Sequence, residues 1–353
     1  MHSLDDASYV LRLDPKDMYG LTCAFPEQCA RAQAIAAAVS LPTGGTKPSL
    51  VILTGLGGSA AGGDFTKALF DAESTVPFLV NRDYHLPAYV GKDTLVFATS
   101  YSGNTEETLS AYADAKKAGA QIICVTSGGK LAEMARADGY PVIQIPGGQP
   151  PRTALGFMLV PVIVACGQLG LIPEQDWDKV VAFLKGCVSL WSVDAPSDTN
   201  LTKQLALSLQ GKLSVIYGAG GWQAIVANRW KGQINENSKN MTFANAFPEL
   251  NHNEILGWVR AHEQGVEHWV AIVLEDGTES AKIKKRIEVT ENLIKDVAET
   301  FHVLAPGSTL LEKMLGLALY GDYVSLYLAA LNGVDPENID GINILKAELS
   351  QVS

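Results

Sequence analysis

Hydroxyl side chains are concentrated in the stretch Ser100-Tyr101-Ser102-Gly103-Asn104-Thr105, where they could bind an anion. An apolar, β-branched run at 93–99 predicts a buried strand before this stretch, and a helical pattern follows it. A strand-to-helix turn offers backbone N–H groups and the positive end of a helix dipole, and Gly103 lets the backbone approach a ligand closely. An ordinary helix cap needs one hydroxyl, whereas the nine residues from 100 to 108 contain four that could serve: Ser100, Ser102, Thr105 and Thr108. The pattern therefore favours a metal-free phosphate site, with an ordinary cap as the alternative.

A glycine turn precedes this segment in the chain. Gly55-Leu56-Gly57-Gly58-Ser59-Ala60 follows a predicted strand and opens a helix. Its Gly-x-Gly-x-x-Ala spacing formally meets the dinucleotide-binding fingerprint, and Asp83 lies near where a ribose-binding acid is expected. An NAD site requires neither the hydroxyl of Ser59 nor a second hydroxyl turn after another strand. We therefore expect Gly58 and Ser59 to bind phosphate, and we expect no cofactor. NAD binding is the alternative interpretation.

The elements around both turns predict an α/β fold. Five short apolar strands alternate with helices in the first half of the chain: 51–54, 76–80, 93–99, 121–126 and 141–145. Such alternation implies a parallel sheet covered by helices on both faces. Ligands of these sheets bind beyond the carboxyl ends of the strands, where both turns lie.

A second unit with similar features begins near Ser197. Its strand 213–217 leads into Gly218-Ala219-Gly220-Gly221, which repeats the strand and glycine turn of the first unit but has no hydroxyl turn. Strand 268–274 and two helical patterns, 279–294 and 310–331, follow. We predict two copies of one fold, with these boundaries: an N-terminal helical extension at 1–48, a first domain at 49–170, a linker at 171–196 and a second domain with C-terminal helices at 197–353.

Composition narrows the classes of partner. The 353 residues include 27 basic and 38 acidic ones, for a net charge of -11, so nucleic acid and anionic membranes are poor candidate partners. The five cysteines form no Cys-x-x-Cys pair and lie mostly in apolar sequence, which predicts reduced core residues in a cytoplasmic protein. The N-terminus lacks the pattern of a signal segment, and the apolar run near 155–166 contains Pro161 and is too short to span a bilayer.

Several motifs in a fixed order carry a family resemblance. The glycine and hydroxyl turns resemble the sugar isomerase (SIS) domain, and two such domains in one chain resemble the phosphoglucose isomerase superfamily. Four further motifs tighten the match: Pro151-Arg152-Thr153-Ala154-Leu155, Asn235-Glu236-Asn237-Ser238-Lys239, Asn251-His252-Asn253-Glu254, and Asp335-Pro336 with Ile344-Leu345-Lys346. Together they resemble the bifunctional phosphoglucose/phosphomannose isomerases of archaea and bacteria over almost the whole chain. The resemblance implies isomerisation of glucose 6-phosphate, and of mannose 6-phosphate, to fructose 6-phosphate.

Two residues of these motifs suit acid–base chemistry. Glu236 ends a helical pattern between two amides that can position it and partly shield it from water, as a general base requires. By resemblance it transfers the proton between carbon-1 and carbon-2; the alternative is a solvated helix-end acid. His252 lies in a polar loop, and an imidazole suits ring opening near neutral pH. The resemblance assigns it that step, in the active site of a partner subunit in a homodimer.

Two cations complete the set that the resemblance implies. Lys346 would contact the ring oxygen, although its place in the chain is also that of an ordinary tail lysine. Arg152 follows two prolines, and its planar guanidinium suits the negative charge of an enediolate, although it could equally be a surface residue. The chain departs from the family at Asp335-Pro336-Glu337-Asn338, where Asp-Pro-Thr-Pro is expected. We expect this difference to affect the local shape near Lys346 and, through it, how well the mannose epimer is accepted.

Two other functions stay open on sequence alone. A sugar-phosphate sensor would use the same pocket without turnover, but it has no need for both Glu236 and His252, and no DNA-binding helix pair accompanies the pocket. An isomerase of amino or pentose sugar phosphates would share the phosphate site. No cluster of metal ligands is visible, so we expect no metal.

Overall fold

The computed structural model describes residues 3–42, 47–349 and 351. The strands are β1 Leu50–Thr54, β2 Phe78–Asn81, β3 Thr94–Ser100, β4 Gln121–Thr126, β5 Val142–Gln144, β6 Ser214–Gly218, β7 Thr242–Ala246, β8 Trp269–Glu275 and β9 Ala298–Leu304. The helices are α1 Ala7–Leu11, α2 Met18–Cys23, α3 Phe25–Ala37, α4 Gly57–Glu73, α5 Glu106–Lys117, α6 Gly129–Ala137, α7 Leu155–Gln168, α8 Trp177–Trp191, α9 Leu201–Leu209, α10 Gly221–Ser238, α11 Glu254–Trp258, α12 Ala281–Ile294, α13 Leu310–Asn332 and α14 Asp340–Leu349.

The chain forms two compact units. The first unit runs from Ala24 to Lys185, and the second combines the residues up to Cys23 with those from Gly186 onward. The division therefore differs from the predicted boundaries at 49 and 197, because the predicted N-terminal extension is split between the units. The predicted linker at 171–196 contains helix α8.

The first unit contains a parallel five-stranded sheet in the order β2-β1-β3-β4-β5. Strand β3 is buried along its whole length, as expected for the centre of a sheet covered on both faces. Val96 and Ala98 of β3 pack with Tyr112 of α5 and Leu131 of α6, while α3 and α4 pack against α7. The chain leaves β1 toward β2 on one side and returns to β3 on the other, so the strand order reverses between β1 and β3.

The second unit contains a parallel four-stranded sheet in the order β7-β6-β8-β9. Helices α10 and α13 pack against each other, and Trp230 of α10 donates a hydrogen bond to the carbonyl of Leu317 in α13 at 2.8 Å. In the described part of the chain, α13 alone is long and apolar enough to cross a membrane, and 94% of its most apolar window is buried inside the protein. Burial of this kind is that of a core helix.

The sequence predicted seven of the nine strands that the structure describes, with small differences at their ends. It missed β7 and β9, the two edge strands of the second sheet. Strand β7 contains an Asn and exposes Phe243, and β9 follows α12 after three residues, so neither shows a clear apolar run. The five cysteines are free, as predicted, and four of them are buried.

Candidate active site

The glycine and hydroxyl turns lie at the carboxyl ends of two paired strands, β1 and β3. Helix α4 begins three residues after β1, and α5 begins six residues after β3. Because the strand order reverses between these strands, the two helix N-termini open at the switch point of the sheet, where α/β folds bind ligands. The unpaired N–H groups of two first turns and two positive dipole ends favour an anion there.

The hydroxyl turn has a defined hydrogen-bond network. Ser100, the last residue of β3, is buried; its Oγ lies 2.8 Å from Oγ1 of Thr105 and accepts a hydrogen bond from the N–H of Gly103 at 3.0 Å. Ser102 is exposed, and its Oγ accepts from the N–H of Asn104 at 3.2 Å. Thr105 is the N-cap residue of α5, but its side chain makes no capping bond. Its hydroxyl is therefore held by Ser100 and not by the helix.

Glycine is required at the centre of this turn. Gly103 has φ +72°, and a Cβ there would lie 1.8 Å from the carbonyl oxygen of Gly128, in the turn between β4 and α6. The carbonyl of Gly103 in turn accepts from the N–H of Leu131 at 2.9 Å. The hydroxyl turn is thus fixed by the turn that follows the neighbouring strand β4.

The glycine turn and Arg152 lie against the same edge of the sheet. The buried Ser59 accepts a hydrogen bond through Oγ from the N–H of Tyr101 at 3.2 Å, which joins the two turns. A Cβ on Gly58 would lie 2.8 Å from the carbonyl oxygen of Pro151, so the absence of a side chain lets the 3₁₀ turn Pro151–Thr153 approach α4. Arg152, in that turn, is 8% exposed. The structure therefore brings Gly58, Arg152 and the predicted hydroxyls together in one unit.

Sequence reasoning missed two supports of this arrangement. Gln28 of α3 is buried; it donates to the carbonyl of Thr153 at 2.9 Å and accepts from the N–H of Phe157 at 3.3 Å, so it holds the start of α7. The phenol of Tyr101 accepts from the N–H of Gln149 at 3.2 Å, and burial raises the pKa of this tyrosine despite that bond. A glutamine inside a helical pattern carries no signal that its partner lies 125 residues away.

Glu236 lies half-buried in the last turn of α10, in the second unit. The amides beside it anchor that turn to other elements. Asn235 accepts from the N–H of Thr242 in β7 at 3.0 Å, and Asn237 donates to Oγ of Ser325 in α13 at 2.9 Å. The amides therefore hold the backbone that carries the half-buried Glu236, and its role as a general base stays a prediction.

His252 is exposed and follows β7 at the other end of that strand. Asn235, next to Glu236, is bonded to Thr242 at the start of β7, whereas His252 lies beyond its last residue, Ala246. At the rise of an extended chain the strand separates these two ends by about 13 Å. Within one chain, Glu236 and His252 therefore lie toward opposite ends of β7.

Lys346 lies in α14, which has no buried residue over its described length. The segment before α14 is well bonded despite its departure from the family pattern. Asp335 accepts from the N–H of Glu337 at 2.8 Å, and Asn338 accepts from the N–H of Asp340 at 3.0 Å. Glu337-Asn338 thus forms two successive side-chain turns that lead into the helix.

Potential metal ligands do not cluster in the described part of the chain. No group of three or more His, Cys, Asp or Glu side chains there is arranged to hold a metal ion. The predicted site residues of the second unit are one carboxylate, one imidazole and one ammonium group: Glu236, His252 and Lys346.

Comparison with known families covers both units. The profile described as a SIS domain matches residues 46–145, and the profile described as the bacterial phospho-glucose isomerase C-terminal SIS domain matches residues 198–349. The fold prediction of two SIS domains is therefore confirmed.

Individual proteins agree with these matches. The bifunctional phosphoglucose/phosphomannose isomerase of Caldicellulosiruptor bescii is 43% identical over 330 residues, which cover 93% of this chain and 97% of that protein. The D-glucosamine-6-phosphate 4-epimerase of Sulfolobus acidocaldarius is 30% identical over 286 residues, 81% of this chain and 84% of that protein. A solved structure of a hypothetical protein from Thermus thermophilus shares the fold with a TM-score of 0.74 and 18% identity, covering 97% of this chain and 91% of that one.

Proposed function

Because the chain belongs to the family of bifunctional phosphoglucose/phosphomannose isomerases, we propose that it interconverts glucose 6-phosphate, and also mannose 6-phosphate, with fructose 6-phosphate. The observation that carries this proposal is that a chain of this family has hydroxyl-bearing turns at the switch point of its first sheet. Phosphosugar isomerisation is the activity named for most of the similar proteins.

The substrate phosphate binds at the N-termini of α4 and α5 in this proposal. Ser59, Ser100, Ser102 and Thr105 supply rotatable hydroxyls, and Gly58 keeps the backbone close. Charge-assisted hydrogen bonds from N–H and O–H donors to a dianion are roughly twice as strong as neutral ones. The site therefore binds phosphate without a cluster of basic side chains.

The chemistry uses the four residues that the family resemblance implies. His252 and Lys346 open the sugar ring: the ring oxygen gains a proton and the carbon-1 hydroxyl loses one. Glu236 then removes the proton from carbon-2, and the carbonyl oxygen at carbon-1 becomes a hydroxyl, which gives a cis-enediol. Return of the proton to carbon-1 with loss of the carbon-2 hydroxyl proton yields the ketose. Arg152 stabilises negative charge on the intermediate.

The proposal extends to the cofactor requirement, the cellular location and the oligomeric state of the enzyme. It works without metal or nicotinamide cofactor, in the cytoplasm, in glycolysis and gluconeogenesis. It forms a homodimer in which His252 serves the active site that contains the partner's copy of Glu236. The separation of these two residues by the length of β7 within one chain supports this arrangement.

The direct test is to incubate the purified protein with each hexose 6-phosphate and to follow ketose formation. We expect turnover of glucose and mannose 6-phosphates, with the same rate after dialysis against EDTA. Glu236→Gln protein prepared in parallel controls for contaminating isomerase. Binding without turnover would instead indicate a sensor, and loss of activity restored by zinc would disprove the metal-free mechanism.

The phosphate site has its own test. Ser102→Ala and Thr105→Val each remove a hydroxyl that would bond a dianion, and we expect each to weaken substrate binding by roughly 1.5–3 kcal/mol. Ser110→Ala, farther along α5, is the control. Wild-type Michaelis constants in both site variants would show that this turn does not bind the phosphate.

A second candidate function follows from the relative that acts as a D-glucosamine-6-phosphate 4-epimerase. Its 30% identity extends over most of the chain, so glucosamine 6-phosphate is also a substrate to test, with detection of its carbon-4 epimer, because 4-epimerisation forms no ketose. Faster turnover of the amino sugar than of glucose 6-phosphate would favour this alternative.

A further inference from the structure

The residue that ends the helix of Glu236 has an unusual conformation. Lys239 is the C-cap of α10, with φ 52° and ψ 32°, in the left-handed region. Glycine usually occupies such a position because it has no Cβ to clash with the backbone. A lysine at this point indicates that its side chain has a use that offsets the steric cost.

The side chain of Lys239 joins two segments of the second unit. Its ammonium donates to the carbonyl of Glu236 at 2.7 Å and to that of Asp335 at 2.8 Å. The carbonyls of Asn237 and Pro336 lie at 3.5 Å. Three ammonium hydrogens can serve such a set of acceptors, and the negative end of the α10 dipole favours a cation there. One side chain therefore holds both the end of α10 and the segment that begins at Asp335.

The segment that begins at Asp335 leads into α14, the helix that contains Lys346, and so determines the position of that lysine. Pro336 is buried, whereas α14, which follows it, has no buried residue over its described length. Within one chain the direction of α14 therefore depends on its attachment at Asp335–Pro336. A second bond, from Asn332 to the carbonyl of Ser238 at 3.0 Å, ties the end of α13 to α10 but does not reach this segment.

We infer that Lys239 is a positioning residue of the active site, whose ammonium sets the relation between Glu236 and the helix that carries Lys346. The claim that Lys239 affects catalysis rests on the proposed function. The claim that it holds the segment at Asp335 rests on the hydrogen bonds alone. In the sequence motif Lys239 follows Glu236 by three residues, but sequence alone gave it no role. Its distant partner, Asp335, is 96 residues farther along the chain.

The alternative is that Lys239 only ends the helix, and three variants of the full chain separate the two roles. Lys239→Gly relieves the left-handed backbone and removes the ammonium, Lys239→Met removes only the ammonium, and Lys239→Arg keeps a cation. Lys282→Met removes an exposed lysine of α12 as a control. Thermal unfolding of each variant checks that it is folded.

Two measurements apply to each variant: kcat and KM with fructose 6-phosphate, and the rate of cleavage after Glu337 by a glutamate-specific protease. We expect Lys239→Met and Lys239→Gly to lower kcat about tenfold or more, since small misplacements of catalytic groups are costly, while KM stays within about twofold. Cleavage should accelerate about fivefold or more because the segment is released. Lys239→Arg should recover part of both effects, and Lys282→Met should match the wild type.

The outcomes distinguish this inference from the proposed function. Wild-type kcat and cleavage rate in Lys239→Gly would overturn the inference and leave the isomerase intact. If the wild-type protein isomerises no hexose phosphate, the proposed function fails. The cleavage rates then still decide whether Lys239 holds the segment at Asp335.

Discussion

At the scale of single residues, Glu236 and His252 perform separate steps of the proposed reaction. Proton transfer between carbons needs a base that is held firmly, and Glu236 lies on a helix turn fixed by Asn235 and Asn237. Ring opening needs a group that exchanges protons near neutral pH, and His252 is exposed at the end of a 3₁₀ turn. The two roles can therefore be separated by the form of the substrate.

Glu236→Gln keeps the shape of the side chain but cannot accept a proton, so we expect it to lose isomerisation on every substrate form. His252→Ala should lose activity on closed-ring glucose 6-phosphate and much less on an open-chain analogue without the carbon-5 hydroxyl. General acid–base groups contribute about 10²–10⁴-fold in rate, which steady-state kinetics resolves. Proton exchange with solvent at carbon-2 provides a second measurement. Equal losses of His252→Ala on both substrates, or exchange retained by Glu236→Gln, would refute the division of roles.

Residues beside a recognisable strand could be predicted from sequence, whereas residues defined by distant partners could not. Ser59 and Ser100 follow apolar runs, so the end of a strand gave their location. Gln28 and Lys239 have partners 125 and 96 residues away, and no local pattern reports such contacts. The catalytic roles themselves came from the family resemblance and stay predictions.

At the scale of elements, the phosphate site depends on close contact between the turns that follow β3 and β4. Gly103 and Gly119 both have φ +72°, but a Cβ at Gly103 would meet the carbonyl of Gly128, while one at Gly119 would meet nothing within 4 Å. Substituting alanine at each of these two glycines therefore separates the free-energy cost of the left-handed backbone from that of the clash with Gly128.

Gly103→Ala should raise KM at least about tenfold and lower stability by more than about 2 kcal/mol, because the hydroxyl turn must move away from its neighbour. Gly119→Ala should cost only the backbone strain, about 1–2 kcal/mol, with unchanged KM. Urea unfolding and steady-state kinetics on both variants provide the comparison. A KM for Gly103→Ala equal to that of Gly119→Ala would show that the phosphate does not depend on this contact.

A second element-scale feature is an ionic cluster that joins β8, β9 and α12. His302 of β9 places Nδ1 2.5 Å from Glu275 of β8 and Nε2 2.6 Å from Glu291 of α12. Burial lowers the pKa of His302, but the hydrogen bonds and negative charges of the two glutamates outweigh it, so its pKa is raised above the usual value. The cluster therefore stabilises the fold when the imidazole is protonated.

The sign of the pH dependence follows from this raised pKa. A group with a higher pKa in the folded state contributes its full stabilisation below its unfolded pKa, about 6.5, and loses it as pH rises through the folded value. We expect His302→Gln to melt about 1–3 °C below the wild type at pH 5.5 and to approach it at pH 9, since the half-exposed pair is partly screened. His85→Gln, on the other unit, is the control. A deficit that grows toward alkaline pH would contradict this reasoning.

At the scale of the whole molecule, the alternation of strands and helices predicted both sheets, because parallel strands buried on both faces leave continuous apolar runs. Strands β7 and β9 were missed because exposed and half-buried residues interrupt their apolar runs, whereas β2 and β5, which are edge strands too, were predicted. The division of the chain could not be predicted either, because the residues up to Cys23 belong with a unit that resumes at Gly186. Contacts between such distant segments leave no local pattern.

The proposed homodimer makes a quantitative prediction about mixed subunits. If His252 serves the partner's active site, a heterodimer of one Glu236→Gln chain and one His252→Ala chain has one site with both lesions and one intact site. After subunit exchange between equal amounts of the two nearly inactive variants, half of the dimers are mixed, so about a quarter of the wild-type activity should return. If both residues serve the site of their own chain, every site keeps one lesion and no activity returns.

The matched control reverses the expectation. When the double variant Glu236→Gln, His252→Ala exchanges with an equal amount of wild type, each site of a mixed dimer carries one lesion if His252 acts across subunits. The mixture should then have about a quarter of the activity of an all-wild-type sample of the same total concentration, compared with about half if each chain forms its own site. Both results follow from the same arrangement, in which each subunit places its His252 in the active site of the other. If activity returns in the first mixture, the activity of the second mixture must therefore fall to about a quarter and not to about half. Activity near one half in the second mixture, with exchange verified by mass spectrometry, would show that His252 acts within its own chain.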